Sequence, residues 1–334
     1  MSTFAGATGI GSWPGTSARE AAEIVIGELH RMPHLVELPG RGVGADMIGR
    51  AGALLVDIAV DTVPRGYRIA ARPGAVSRRA ASLLREDIDA LEEAWETAGP
   101  GSSDRVVKVQ APGPVTLAAQ LELGNGHRAI TDAGALRDLT DSLTEGMTLH
   151  AAEVARRLGS AVVVQYDEPS LPVALAGRLT GVTSMTPVHP VDESVAIELL
   201  DRCAGAGPAV VHCCATDLPW KVLQRSSIQA VSVDVSVLAP TDLDGIGEFV
   251  ESGRTVLLGV VPTTAPVKPP AVEEVARAAA AVTDRLGFAR AVLRDRVGVT
   301  PACGLAGAAA AWAKTAIGLC QKTADGFAQD PEAL

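Results

Sequence analysis

Aromatic side chains are scarce: Phe, Trp and Tyr together make up 3% of the 334 residues. A core without large rings must be filled by Ala, Val, Leu and Ile, which suits close packing of helices on strands. Apolar residues reach 47% of the chain, so the material for such a core is present. Basic charge is also in short supply. Lys and Arg number 29 against 39 Asp and Glu, a formal net charge of −10. That field repels phosphates and excludes a nucleic acid or an anionic membrane as the main partner. No apolar run approaches the roughly 20 residues that span a bilayer. Residues 1–11 lack a basic segment followed by an apolar one, so no secretory leader is expected. Five cysteines, an odd number, do not make a disulfide framework. A reducing, cytoplasmic compartment is the expectation. Walker and dinucleotide glycine patterns are missing too, which removes the common nucleotide-binding classes.

What is present is alternation. Short β-branched runs at residues 8–12, 35–38, 106–110, 161–166, 209–213, 230–235, 255–260 and 297–300 read as strands. Several are apolar almost throughout, as parallel strands buried on both faces must be. Between them, residues 17–31, 77–97, 132–158, 192–204 and 271–286 carry Ala- and Leu-rich helical patterns. Eight β/α alternations favour a closed (β/α)₈ TIM-type barrel over an open doubly wound sheet, and roughly 250 residues suffice for one. The expectation is a single barrel over residues 1–334. Residues 179–185 form a ninth strand-like run that would displace one of the eight. Residues 61–75, with Pro64, Gly66, Pro73 and Gly74, read as an insertion or loop. Residues 99–104 read as a turn-rich connection, 262–270 as a stiff proline-rich loop, and 330–334 as a frayed tail.

The informative segment is His212-Cys213-Cys214. Side chains two apart on a strand share a face, so His212 and Cys214 can reach one ion while Cys213 points away. Cys303, in Pro301-Ala302-Cys303-Gly304, lies just past the last strand candidate, on the same end of a barrel. Barrel enzymes gather their chemistry at that end. One imidazole and two thiols form a borderline-soft donor set that suits Zn²⁺, and three protein ligands leave a position for substrate. Asp234 is the candidate fourth ligand, with Ser232 or Ser236 as alternatives in another register. Taken singly, each of these residues reads more readily as an ordinary core residue than as a metal ligand; the pair plus a third at another strand end favours metal. A thiol is mostly protonated at neutral pH and its thiolate is the nucleophile, so a site that ionises sulfur points to thiol alkylation. Cys203 and Cys320 fall in helical stretches and read as packing.

Two further motifs sit at strand ends. Asp167 and Glu168, in Gln165-Tyr166-Asp167-Glu168-Pro169, put two carboxylates at the same mouth, and Asp167 can hold a substrate ammonium group. A helix N-terminus is the competing reading. Ser12, in Gly11-Ser12-Trp13-Pro14, can bind a carboxylate, although the segment also fits a plain turn. The remaining histidines, His30, His34, His127, His150 and His189, are isolated and read as packing or surface residues.

Taken in order, Ile10-Gly11-Ser12-Trp13-Pro14, Gly113-Pro114-Val115-Thr116, Gln165-Tyr166-Asp167-Glu168-Pro169, His212-x-Cys214 and Pro301-Ala302-Cys303-Gly304-Leu305 resemble the C-terminal catalytic barrel of cobalamin-independent methionine synthase. The resemblance runs from about residue 8 to 320. It implies zinc on His212, Cys214 and Cys303, methyl transfer to homocysteine, and an amino-acid site that includes Ser12 and Asp167. A family glutamate that binds the substrate amine corresponds to Glu37. The family's glutamate zinc ligand falls at 234–236, where no Glu stands. Its His-Ser-Pro, tied to the folate donor, appears here as Val260-Val261-Pro262. Full-length synthases also carry an additional N-terminal barrel that helps bind folate. The departures imply another donor, such as a methylated corrinoid protein. Alkyl transfer to a different thiol or a corrinoid, and a non-catalytic metal- or ligand-binding barrel, are the alternative functions.

Overall fold

The computed structural model describes residues 2–99, 105–181 and 186–333. Nine strands occur in it: β1 (Ala59–Val63), β2 (Gly66–Ala70), β3 (Val106–Pro112), β4 (Leu121–Glu122), β5 (Ala161–Asp167), β6 (Ala209–Cys213), β7 (Ala230–Asp234), β8 (Thr255–Val261) and β9 (Val297–Pro301). Six of them form one curled parallel sheet in the order β3-β5-β6-β7-β8-β9. Every residue of β3, β6 and β9 is buried, which explains their nearly unbroken Val-rich runs.

Segments near the N-terminus pair with parts of the two outer strands of this sheet. Val299 on β9 donates to the Gly6 carbonyl at 2.8 Å, and Ala7 bridges Val299 in parallel. On the other side Leu35 donates to the Lys108 carbonyl and Lys108 to the Pro33 carbonyl, both at 2.9 Å. The two flanking segments then meet: Trp13 donates to the Glu37 carbonyl at 2.8 Å and Glu37 to the Gly11 carbonyl at 3.1 Å. The expected strands at 8–12 and 35–38 are thus corrected to irregular segments held by isolated bridges, and the expected eight regular strands to a six-stranded half-barrel. The cause is local. Gly11 sits at φ +145°, and Pro33 and Pro39 cannot donate to a ladder.

Side-chain alternation divides the inner face into layers. Val106, Val163, Val210, Ala230 and Leu257, from the first three positions of their strands, cluster with Phe4 and Met32 as an apolar plug. Two residues further along, the same face carries Lys108, Gln165, His212 and Ser232, all nearly fully buried. Period-two geometry therefore converts one stripe of sequence into a dry lower end and a polar upper end. The rest of the core lies between the sheet and the surrounding helices.

Those helices start and stop as their sequences dictate. Ser17 caps Ala18–Glu28 by accepting from the Glu20 amide, and Asp132 caps Ala133–Leu158 through the Ala135 amide. Gly159 ends the latter helix in the left-handed conformation, φ 60°. Ala75–Ala98, Glu193–Ala204 and Val272–Arg285 coincide closely with the predicted helical stretches. Of the expected insertion or loop at 61–75, most forms the β1–β2 hairpin, extended by β4 into a three-stranded side sheet, so it is not a plain loop. Of the ninth strand-like run, 179–181 are without regular structure and 182–185 lie outside the described residues, as do 100–104 of the predicted connection. No helix of the described residues is long and apolar enough to cross a membrane.

Candidate metal centre

His212 is the penultimate residue of β6, Cys214 follows that strand directly, and Cys303 follows β9 by two residues. The curl of the sheet brings their ligand atoms within 4.8 Å of one another. The two sulfurs are 2.9 Å apart. His212 is buried; its Nδ1 lies 3.1 Å from the Ser232 hydroxyl. Its Nε2 is buried and finds no hydrogen-bond partner among the described residues. An unsatisfied buried nitrogen costs on the order of 1–3 kcal/mol, and here it belongs to the same tight group as two sulfurs. The Cys303 thiol is pushed down to about 4, first by its hydrogen bond with Cys214 and then by His212, against burial. Cys214 is pushed up by the same shared contact. Two sulfurs in contact, with an unpartnered imidazole nitrogen beside them, form a donor set that fits a soft divalent cation such as zinc.

The other cysteines stand apart. Cys213 points to the opposite face of β6 and is buried, which pushes its thiol up to about 12. Cys203 is raised to about 12 in the same way, and Cys320 is likewise raised by burial. All five are free thiols. Asp234 is not one of the gathered group. Its carboxylate accepts from the Ser236 amide at 2.8 Å and the Ser236 hydroxyl at 2.6 Å, capping a short 3₁₀ turn. Ser232 touches the imidazole, and Ser236 is exposed.

Beside the cluster opens a cavity of about 300 Å³ that Ser12, Glu37 and Asp167 line together with His212, Cys214 and Cys303. Ile10 and Met47 add an apolar wall. The first segment and the Cys303 loop are tied together, with Leu305 donating to the Ser12 carbonyl at 2.9 Å. The two approach closely: a Cβ at Gly304 would lie 2.0 Å from the Ser12 hydroxyl and force it to turn. Burial raises Asp167 to about 6 and Glu37 to about 7, the latter opposed by Arg50, whose Nε is 3.7 Å from Glu37 Oε1. Glu168 does not share this mouth. It turns away to accept from the Val115 and Thr116 amides, both at 2.9 Å, at the N-terminus of helix Pro114–Gln120.

Three buried polar residues beneath the cavity escaped the sequence reading: Lys108, Gln110 and Gln165. Their signal is visible in hindsight as polar residues at alternate positions of otherwise apolar strands, Val107-Lys108-Val109-Gln110 and Val164-Gln165-Tyr166-Asp167. Arg50, between Glu37 and the buried Asp87, carries no comparable pattern.

No curated protein matches the chain. Among solved structures, a B12-independent methionine synthase from a Shewanella species, in complex with selenomethionine, superposes with a TM-score of 0.62 at 14% identity, covering 99% of this chain and 100% of that one. A methyltransferase from Methanosarcina mazei gives 0.54 at 16%, covering 93% and 85%. At such identities the likeness establishes the fold. The family model for the cobalamin-independent synthase catalytic domain matches residues 4–325, nearly the whole sequence, and the chain belongs to that family.

Proposed function

We propose that this chain is a zinc-dependent methyltransferase that alkylates a small thiol, with homocysteine the favoured acceptor and methionine the product. The observation that carries the reading is the union of an imidazole and two thiols with three amino-acid-binding candidates in one cavity. His212, Cys214 and Cys303 would hold the ion. Bound there, zinc supplies the charge that keeps a substrate thiol ionised at neutral pH. Asp167 and Glu37, both acidic and facing the cavity, take the substrate ammonium group, and the Ser12 hydroxyl takes its carboxylate. Ile10 and Met47 shield the reacting sulfur from water. In the transfer, a sulfur–carbon bond forms as the bond between the methyl group and its donor breaks. A methylated corrinoid protein is the proposed donor, because the family's folate-linked His-Ser-Pro is Val260-Val261-Pro262 here. We read the irregular segments around residues 7–12 and 34–37 as the first two staves of one (β/α)₈ barrel working in the cytoplasm.

Elemental analysis of protein purified without added metal tests the site. About one zinc per chain is expected, with Cys303→Ser and His212→Ala each losing most of it. A zinc content unchanged by Cys303→Ser rejects the assignment. Assaying methionine formation from homocysteine, with methylcobalamin and methylfolate supplied separately, tests acceptor and donor. Turnover with methylfolate alone overturns the donor assignment.

A further inference from the structure

Lys108 is fully buried in the middle of β3, beneath the cavity floor. A lysine in that position demands a reason, because burying an ammonium group is costly unless it is paired and hydrogen-bonded. Its Nζ donates to the Ile10 carbonyl at 3.0 Å and to Oε1 of Gln165. Gln165 in turn donates through Nε2 to the Ile10 carbonyl and to Asp167 Oδ1, each at 2.7 Å. The partners leave its amide one orientation. The Ile10 carbonyl and the Asp167 carboxylate only accept, so both must face the NH₂ end, and the oxygen end must face Lys108.

Resting on the reading of Asp167 as the ammonium-binding group, we propose that Lys108 and Gln165 are positioning residues for amino-acid recognition. Lys108 fixes the Gln165 amide, Gln165 fixes Asp167 through Oδ1, and the other carboxylate oxygen is left for the substrate ammonium. The shared Ile10 carbonyl ties the relay to the segment that carries Ser12, two residues on. The groups meant for the two ends of an amino acid are thereby set at one spacing. Burial pushes the Lys108 amine down to about 7, while the buried carboxylates of Asp167 and Glu37 favour its charged form.

Calorimetric binding of L-homocysteine and of its des-amino counterpart, a mercaptobutanoate, to the protein as purified provides the test. The native chain is expected to prefer homocysteine. Gln165→Glu keeps an acceptor for Lys108 but removes the donor to Asp167, and Lys108→Met removes the group that orients the amide. Each should cut the preference for homocysteine by roughly ten- to a hundredfold, the value of a charge-assisted hydrogen bond. Mercaptobutanoate binding and zinc content should stay as they were. If Gln165→Glu retains the native preference, the relay is wrong. If both thiols weaken equally, the two residues are merely structural and the proposal also falls. Should Lys108→Met fail to fold, Gln165→Glu alone decides. A native chain that binds the two thiols alike removes the reading of Asp167 itself, and the relay with it.

Discussion

Glu37 is 6% exposed and its carboxyl is raised by burial from 4.5 to about 7. Between those values the folded chain holds a proton that the unfolded chain has released. This contribution to stability is therefore complete below about pH 4.5 and is lost as pH rises through 7. Glu37→Gln does not titrate. Relative to the native chain it should gain on the order of 2 kcal/mol between pH 5 and pH 8. Urea unfolding of both proteins in the same buffers measures this, and a pH-independent difference would refute it. The site's residues differ in how openly the sequence displays them. His212 and Cys214 are legible because a two-residue spacing on a strand has one geometric meaning. Cys303 is legible from its place after the last strand. Glu37 emerged only through family resemblance, since nothing in Val36-Glu37-Leu38 distinguishes a cavity carboxylate from a surface one. Lys108 and Gln165 went unread because polar residues at alternate positions of an apolar strand mark a shared face without naming their partners, which lie far off in sequence.

At the scale of elements, close approach decides which glycines are replaceable. A Cβ at Gly113 would lie 2.3 Å from Glu168 Oε1 and 2.5 Å from two of its side-chain carbons. That would lever Glu168 off the amides of helix Pro114–Gln120. Gly113→Ala should lose about 1–3 kcal/mol in urea unfolding, the cost of leaving buried polar groups unpaired. Gly27, inside helix Ala18–Glu28, has open space around it. Gly27→Ala should instead gain about 0.5–1 kcal/mol from helix propensity. The long helices and β3, β5, β6, β7, β8 and β9 were readable because caps, apolar stripes and Val runs agreed with one another. The first two strand candidates were misjudged because glycine and proline break their ladders while leaving them extended. The β1–β2 hairpin was missed because Pro64, Arg65 and Gly66 at its tip resemble a loop, and its strands are half exposed.

Across the whole molecule, the inner face separates stability from chemistry. Phe4 is 3% exposed in the apolar plug at the strands' starting ends, and the metal cluster lies at their finishing ends. Phe4→Ala should cost about 3–5 kcal/mol in chemical unfolding. Zinc content of the folded variant should match that of the native chain, and a parallel loss of zinc would show that the two ends are not independent.

The hydrogen bonds along the rims of the six-stranded sheet have a consequence for solution behaviour. Its outer members are already occupied, β9 by the backbone around Gly6 and β3 by that around Leu35. A foreign strand would have to displace these pairings before it could add to either rim, which guards the sheet against intermolecular strand addition.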